Sequence, residues 1–598
     1  MQAATLTRPE PAQTVTGPPA PTRRRRAERS RRRPDLIRPA VGVLLVVTFL
    51  LRVWGVKQGL PYSYNIDEAT HFVPRAIAFF GHDLNPHYFL NPPAYSYLLH
   101  IVFDVWFGGR DAVTRAYTSD PTTLYVVARV VAAALGTIAT WLTYLAGARM
   151  FIRPVGLVAA SIFGFAFLPI FYSHLALNDV PTLAPVALSL YGVAGVVRRG
   201  KTRDYLIAGV GIGLASATKY TGGVTLLCLV AAAVCDGAGG GRLAALGRLG
   251  LALLVALAAF LIVNPYSILD WGSFSSGVSS QASLAAGQDP VKLGTTQGSG
   301  ITYYLWTLTW GLGWGPTVAA VGGAALLIAR KRVAMALVLL PAPIAFIVFM
   351  GDQQRYFGRW LMPIFPIVAI LAGYGAVELV RWLVRHRRVP VALAGTVVAV
   401  LLLAQSGSAV VHNDIALSRP DTRNQTRAWM VNNIPAGARV VLEPLVPDDW
   451  TTDVGTFLPW TPTGERWLRY PTWLSDLDPN GNSLPAGQKR YVLVDQYERA
   501  LRPALLDEYV KGGYCWVVIG SLQAGRAFAQ PNLAPGAIAY YAALARRGRL
   551  VYHASPFAAG VHSVPFSFDW SIDYYPRQYH SPGPEMSVYR LTGGRCGS

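Results

Sequence analysis

Charge is what this sequence has least of. Asp, Glu, Lys and Arg make up 14% of its 598 residues, where a soluble globular chain carries roughly 25%. The shortfall argues against water as the surroundings of most of the chain and puts a lipid environment first. Cysteine is nearly missing, at four residues, and no Cys/His spacing suited to zinc occurs. Cys228 and Cys235 fall in or beside an apolar run and read as packing residues, whereas Cys515 and Cys596 could pair if the C-terminal part is extracytoplasmic. That part lacks both a Gly-rich dinucleotide fingerprint and a phosphate-loop pattern, so the usual nucleotide-binding signals are absent. No period of 20 to 50 residues recurs, which excludes a solenoid. No small-residue cleavage site follows the first apolar run, so that run is expected to stay attached.

Apolar residues are abundant instead, at 52%, and runs such as 39–56, 155–172 and 389–411 approach or exceed the ~20 residues that cross a hydrocarbon core. The net charge of +21 would suggest nucleic acid if it were spread evenly. It is not: the arginines at 23–26, 29 and 31–33 precede the first run, and further basic clusters sit in short links, such as Arg198, Arg199, Lys201 and Arg203, or Arg330, Lys331 and Arg332. By the positive-inside rule these mark the cytoplasmic side. Residues 1–38 then read as a disordered, lipid-attracted cytoplasmic arm rather than a nucleic-acid binder.

The spans expected on this pattern are 40–56, 124–146, 155–172, 180–197, a hairpin of two short helices over 204–236 with its tip near 217–223, then 249–263, one ending at Arg330, 333–350, 361–380 and 389–411. This makes about eleven membrane helices in a catalytic region of 39–411. Tyr303, Tyr304, Trp306, Trp310 and Trp314 read as an interfacial belt. Two outer loops are long, 57–123 and the Gly/Ser/Gln-rich 266–300, and the composition of the second predicts mobility. From 412 to 598 hydropathy falls, with helical patterns at 421–433 and 499–510 and strand patterns at 438–442, 490–494 and 515–519. The expected fold is thus a polytopic α-helical membrane protein with a C-terminal extracytoplasmic α/β domain.

Asp67 and Glu68 follow the first span directly. Paired carboxylates at a membrane surface suit proton abstraction from a hydroxyl, with the second acid orienting the acceptor or holding a metal; a solvated loop pair would look the same. Asp179 is expected to emerge on the same side, where it could join Asp67 and Glu68 around an acceptor or a divalent cation such as Mg²⁺, or simply cap the helix that starts at Pro181. Lys219, Arg355 and Arg359 fall near the outer side, where cations should be few. Arg forks match phosphate, and a polyprenyl phosphate is both anionic and membrane-embedded; headgroup contact or snorkelling is the plainer alternative. His71, four residues from Asp67, His174 and Tyr356 are accessory candidates; His82, His87 and His100 crowd the same first loop without metal spacing.

Several segments together resemble the GT-C integral-membrane glycosyltransferases, specifically the family 39 group of protein O-mannosyltransferases and lipid A aminoarabinose transferases. Asp67-Glu68, then Gly81-His82-Asp83 and Asn91-Pro92-Pro93-Ala94-Tyr95, are similar to that family's first outer loop. Arg129-Val130-Val131 through Gly136-Thr137 to Tyr144-Leu145 resembles its second span, Leu175-Ala176-Leu177-Asn178-Asp179 the segment with its second acid, and Ala217-Thr218-Lys219-Tyr220-Thr221-Gly222 its short-helix turn. Arg359-Trp360 with Pro363 and Pro366 is similar to an Arg-Tyr motif, with Trp in place of Tyr. The trefoil insertion of eukaryotic mannosyltransferases is missing. The resemblance implies an inverting single displacement with Asp67 as base, a polyprenyl-phosphate monosaccharide as donor, and phosphate contacts from Lys219 or Arg359. The expected function is sugar transfer to a protein, lipid or glycan acceptor outside the membrane. A cell-wall arabinosyl-type transferase of the same superfamily is the alternative. A transporter would call for matching broken helices in two halves, which the sequence does not show. The excess of Arg over Lys suggests a GC-rich bacterial genome, hence a bacterial cytoplasmic membrane.

Overall fold

The structure, a computed structural model, describes residues 36–81, 83–235, 241–287, 293–294, 298–355, 357–446, 466–478, 482–564, 566–567 and 574–597. Most of the basic arm expected at 1–38, as well as His82 and Tyr356, lies outside the described residues. The molecule is a polytopic helical membrane protein with a C-terminal α/β domain. Among the described residues six helices are long and apolar enough to cross a membrane: Thr122–Met150, Arg242–Val263, Gly300–Ala329, Val333–Gly351, Gly358–His386 and Val391–Asn433. The pair Arg153–Gly164 and Phe167–His174, bent by 59°, passes the same test only when the two are taken together, as a broken span or a re-entrant loop. The helices Ile37–Val53, Leu183–Arg199 and Thr202–Thr218 have 17 residues each.

Small residues let the central helices touch backbone to backbone, as lipid-embedded interfaces require. Gly211 of Thr202–Thr218 lies against the backbone of Ser189, and Gly209 and Gly213 lie one turn apart against Ala252 and Ala256; an added Cβ would come within 2.2–2.5 Å of the nearest atom at all three. Thr202–Thr218 is thereby wedged between two neighbours, and its end, Lys219, is fixed. The Gly300–Ala329 helix holds a π-turn at Thr309–Gly313. Gln405 heals this break: its amide donates to the Thr309 carbonyl (3.0 Å) while its oxygen accepts from the Trp314 N–H (2.8 Å). Of the expected aromatic belt, Tyr303, Tyr304 and Trp310 are buried, and only Trp306 and Trp314 are exposed. Trp310 packs 4.9 Å from Tyr574 of the C-terminal domain.

The segment expected to be mobile, 266–300, contains two helices, Tyr266–Leu269 and Trp271–Ala285; its residues 288–292 and 295–297 lie outside the described ones. One of its glycines makes a close contact. Gly277 lies against the Phe89 backbone, where a Cβ would sit 2.8–3.0 Å from three Phe89 atoms, and Asp270 caps the second helix by accepting from the Ser273 N–H at 3.2 Å.

The domain boundary expected at 411/412 falls inside a helix that continues to Leu417, with Asn413 and Asp414 buried. Beyond it, strands β1 (Arg439–Leu442), β2 (Leu468–Arg469), β3 (Leu474–Ser475), β4 (Arg490–Tyr491), β5 (Trp516–Gly520), β6 (Gly548–Ala554) and β7 (Met586–Leu591) form a five-stranded sheet in the order β2-β1-β5-β7-β6, with β3 and β4 paired apart. β1 is parallel to β2 and β5; β7 runs antiparallel to β5 and β6. The helix expected from 499 starts at Ala504, after Pro503, a residue suited to a helix start. Cys515 and Cys596 form a disulfide across 81 residues of sequence.

Candidate active site

One cavity of about 1080 Å³ opens where the first loop, the 175–179 turn, the 219–221 break, the Trp271–Ala285 helix and the 349–360 stretch meet, and Leu445, Val446, Tyr491–Val494 and Arg526 of the C-terminal domain close over it. Asp67, Asp179, Lys219, Arg355, Arg359 and His71 all line it. They come from separate stretches of chain, and the fold brings them to one wall.

Asp67 is the residue before a π-turn, Glu68–Phe72. Its Oδ2 accepts from Arg359 Nη2 at 2.6 Å, and Arg359 Nε lies 3.9 Å from Asp179 Oδ2. Lys219 in turn donates to Asp179 Oδ1. The result is an alternating chain of charge, Asp67, Arg359, Asp179, Lys219, in which Asp179 and the two cations are mostly buried and Asp67 stays about one-third exposed. Capping, the plainer reading of Asp179, does not hold: the next helix starts at Leu183, with Thr182 at its N-cap and no side-chain cap. Asn178 braces the turn by donating to the Thr218 carbonyl at 2.8 Å. Arg355 contributes a further cation to the wall, its guanidinium 5.2 Å from the Phe357 ring centre, and Arg359 lies at the same distance from that ring.

The pairing of Glu68 with Asp67 as catalytic acids does not hold in the structure. Glu68 is fully buried and does not reach the cavity. Arg129 grips it bidentately at 2.8 and 2.7 Å, Ser63 donates to it at 2.6 Å and the Ala176 N–H at 2.8 Å. Arg129 also donates to the carbonyls of Val56 and Gln58. Glu68 pins the first loop to the Thr122–Met150 helix and to the 175–179 turn. The sequence signal was Arg129 itself: a guanidinium inside an apolar helix needs a partner.

His174 is likewise buried away from the cavity, with Nε2 2.7 Å from the Trp54 carbonyl, Nδ1 3.2 Å from that of Phe171, and Asp414 at 3.5 Å. It ties helices together and is not an accessory at the cavity. Tyr356 lies outside the described residues. His71 stands on the wall, Nε2 3.8 Å from Asp67 Oδ1, its ring stacked on Tyr88 at 4.8 Å. Burial pushes its imidazole below the ordinary histidine range, more than Asp67 raises it. Arg75, whose guanidinium stacks 3.8 Å over Tyr88, and Arg423 and Arg526 were not anticipated. Nothing in their local sequence marks them, because their place on the wall depends on long-range packing.

The donor set does not suit a divalent cation. Of the three acids expected to share one, Glu68 is held by Arg129, while Asp67 and Asp179 are already bridged by Arg359. Among the described residues no group of three His, Cys, Asp or Glu side chains is placed to hold a metal.

Residues 123–267 match the sequence profile of a family described as dolichyl-phosphate-mannose-protein mannosyltransferase, a stretch that includes Arg129, Asp179 and Lys219 but neither Asp67 nor Arg359. The fold is similar to that of the Archaeoglobus fulgidus oligosaccharyltransferase in its apo form, at 12% identity and a TM-score of 0.53, over 93% of this chain and 88% of that one. It is also similar to apo ArnT from Cupriavidus metallidurans, at 13% identity and a TM-score of 0.50, over 93% and 98%. No curated protein sequence matches the chain. The chain therefore shares the fold of these two proteins.

Proposed function

We propose that this chain, built on the GT-C architecture, moves a monosaccharide from a polyprenyl-phosphate donor to an acceptor at the outer face of a bacterial cytoplasmic membrane, by one inverting displacement. The observation that carries the reading is the alternating chain Asp67, Arg359, Asp179, Lys219 on the wall of a single large cavity. A carboxylate that can take a proton and cations that can take a phosphate are what such a displacement needs side by side. The profile matched by residues 123–267 is itself described by a polyprenyl-phosphate sugar, which favours that donor class.

In this mechanism Asp67 accepts the proton of the acceptor's hydroxyl or amine as the heteroatom attacks the anomeric carbon. The bond from that carbon to the phosphate oxygen breaks, and its electron pair stays on the phosphate. Arg359, Arg355 and Lys219 stabilise the charge that develops there. Asp179 holds Lys219 and Arg359 in register, so that both cations point at one place rather than splaying apart. The first loop and the C-terminal domain face outside on this reading, as the basic clusters Arg198, Arg199, Lys201, Arg203 and Arg330 to Arg332 require of the opposite ends.

The test is to incubate the purified full chain with a panel of polyprenyl-phosphate monosaccharides, dolichyl-phosphate mannose included, together with a cell-envelope extract as acceptor source. Release of the free polyprenyl phosphate with one donor, and its loss in Asp67→Asn, is the expected result. Release that is equal in wild type and Asp67→Asn would defeat the mechanism.

A further inference from the structure

Resting on the transferase reading, we infer that His71 is a second proton acceptor that relays the proton from Asp67 to water after each transfer. The tautomer follows from a hydrogen-bond count. Thr70 Oγ1 donates its one proton to the Ile66 carbonyl at 2.7 Å, so toward His71 Nδ1, 3.3 Å away, it can only accept. Nδ1 therefore carries the imidazole proton and Nε2 the lone pair. That lone pair lies 3.8 Å from Asp67 Oδ1, and both residues line the cavity.

Two acceptors facing each other at this distance gain nothing from one another until a proton arrives. When Asp67 takes one from the nucleophile, a small side-chain rotation or one bridging water closes the gap to Nε2. The balance is complete: the acceptor's O–H or N–H breaks, its heteroatom bonds to the sugar, the phosphate leaves with the electron pair, and the proton passes from Asp67 to His71 and out to water. The His71 side chain is 28% exposed, enough to reach solvent from the wall.

The local fold serves this arrangement. The π-turn Glu68–Phe72 separates the two side chains by one wide turn, and such turns recur at functional sites. Tyr88 holds the imidazole plane by stacking at 4.8 Å and 24°. The groups facing His71 are Asp67, Tyr88, Arg75 and Arg359. Burial, Arg75 and Arg359 favour the neutral ring and Asp67 opposes them, which leaves the ring neutral and able to accept near pH 7.

His71→Phe tests this, since phenylalanine keeps a ring over Tyr88 but has no lone pair; His71→Gln serves as the second variant should the first fold poorly. With dolichyl-phosphate mannose or whichever panel donor is active, wild-type turnover should fall on the acid side with a midpoint below 6.5. The variants should turn over at least about tenfold more slowly, lose that acid limb, and recover in part when imidazole is added. Wild-type turnover in the variants, or slower turnover with the acid limb intact and no response to imidazole, overturns the relay. A readout independent of turnover is the ¹⁵N-imidazole spectrum of histidine-labelled protein, with His71 assigned by its absence from His71→Phe. A neutral ring at pH 7 protonated on Nδ1 is expected; a charged ring, or one protonated on Nε2, overturns the inference. If no donor in the panel turns over, the transferase reading fails instead, and the spectra still decide the state of His71.

Discussion

Asp67 and Glu68 are neighbours in sequence and opposites in structure. One stands a third exposed on the cavity wall with the Arg359 guanidinium at 2.6 Å; the other is sealed, with a bidentate arginine, a serine hydroxyl and a backbone N–H on its two oxygens. Both are paired with arginine, so an ion pair alone says nothing about role. What separates them is whether a substrate can reach the carboxylate: Asp67 lines the cavity and Glu68 is fully buried. A buried pair whose acceptor sites are filled holds chain segments together, and breaking it leaves an uncompensated charge. A pair at a cavity can exchange partners when a phosphate or hydroxyl arrives.

That contrast can be broken by substitution. The largest effect is expected of Asp67→Asn, which should slow transfer by about 10²–10⁴-fold while leaving the thermal midpoint of the purified protein within a degree or two of wild type, read by polyprenyl phosphate release beside a melting curve. Glu68→Gln should do the reverse. It strands the Arg129 charge in an apolar bundle and costs about 3–5 kcal/mol of stability, seen as lower yield and melting temperature, while the folded fraction, measured per active molecule, turns over much as wild type does. Were Glu68→Gln stable and inactive, the division between the two acids would collapse.

Arg359→Ala should reduce kcat/KM by about 10²-fold through the loss of one charge-stabilising donor, with Arg359→Lys recovering part of it; the donor-concentration dependence of release separates the two. The smallest effect belongs to the C-terminal domain. Glu443 is buried there, accepting from the Tyr541 hydroxyl at 2.7 Å and the Gly520 N–H at 3.1 Å, and burial raises its carboxyl from 4.5 to about 8. The folded chain thus keeps a proton that the unfolded chain gives up, so stability falls as pH rises from 4.5 to about 8 and then levels off. Glu443→Gln should flatten this slope and raise the melting temperature at pH 8 by a few degrees. An unchanged slope would mean that Glu443 is ionised in the folded domain.

Much of the site was legible as a set of candidates. Asp67 stood out as one of two adjacent carboxylates beyond the first span, Asp179 as an acid emerging on the same side, Lys219 as a charge within an apolar stretch, and Arg355 and Arg359 as cations on the outer side, where few are expected. The tip of the hairpin at Lys219 was legible too, since the mostly apolar stretch 205–235 fits neither one helix nor two full ones. What misled was composition read without partners. The aromatics Tyr303, Tyr304, Trp306, Trp310 and Trp314 suggested a lipid belt, but three of the five, Tyr303, Tyr304 and Trp310, pack inward.

By itself, then, the sequence determined the membrane class, the order of helices and soluble domain, and which residue types could carry chemistry. Hydropathy and charge are sums over short windows, so ten or twenty consecutive residues suffice to read them. Only the tertiary structure decided which of two adjacent acids faces the cavity, that His174 is a tie between helices while His71 stands beside Asp67, and that Arg526 from the far domain closes the roof. Those outcomes rest on contacts such as Arg129 to Glu68 and Arg359 to Asp67, separated by 61 and 292 residues of chain. No local window contains both partners, and a carboxylate's role is fixed by the partner it meets.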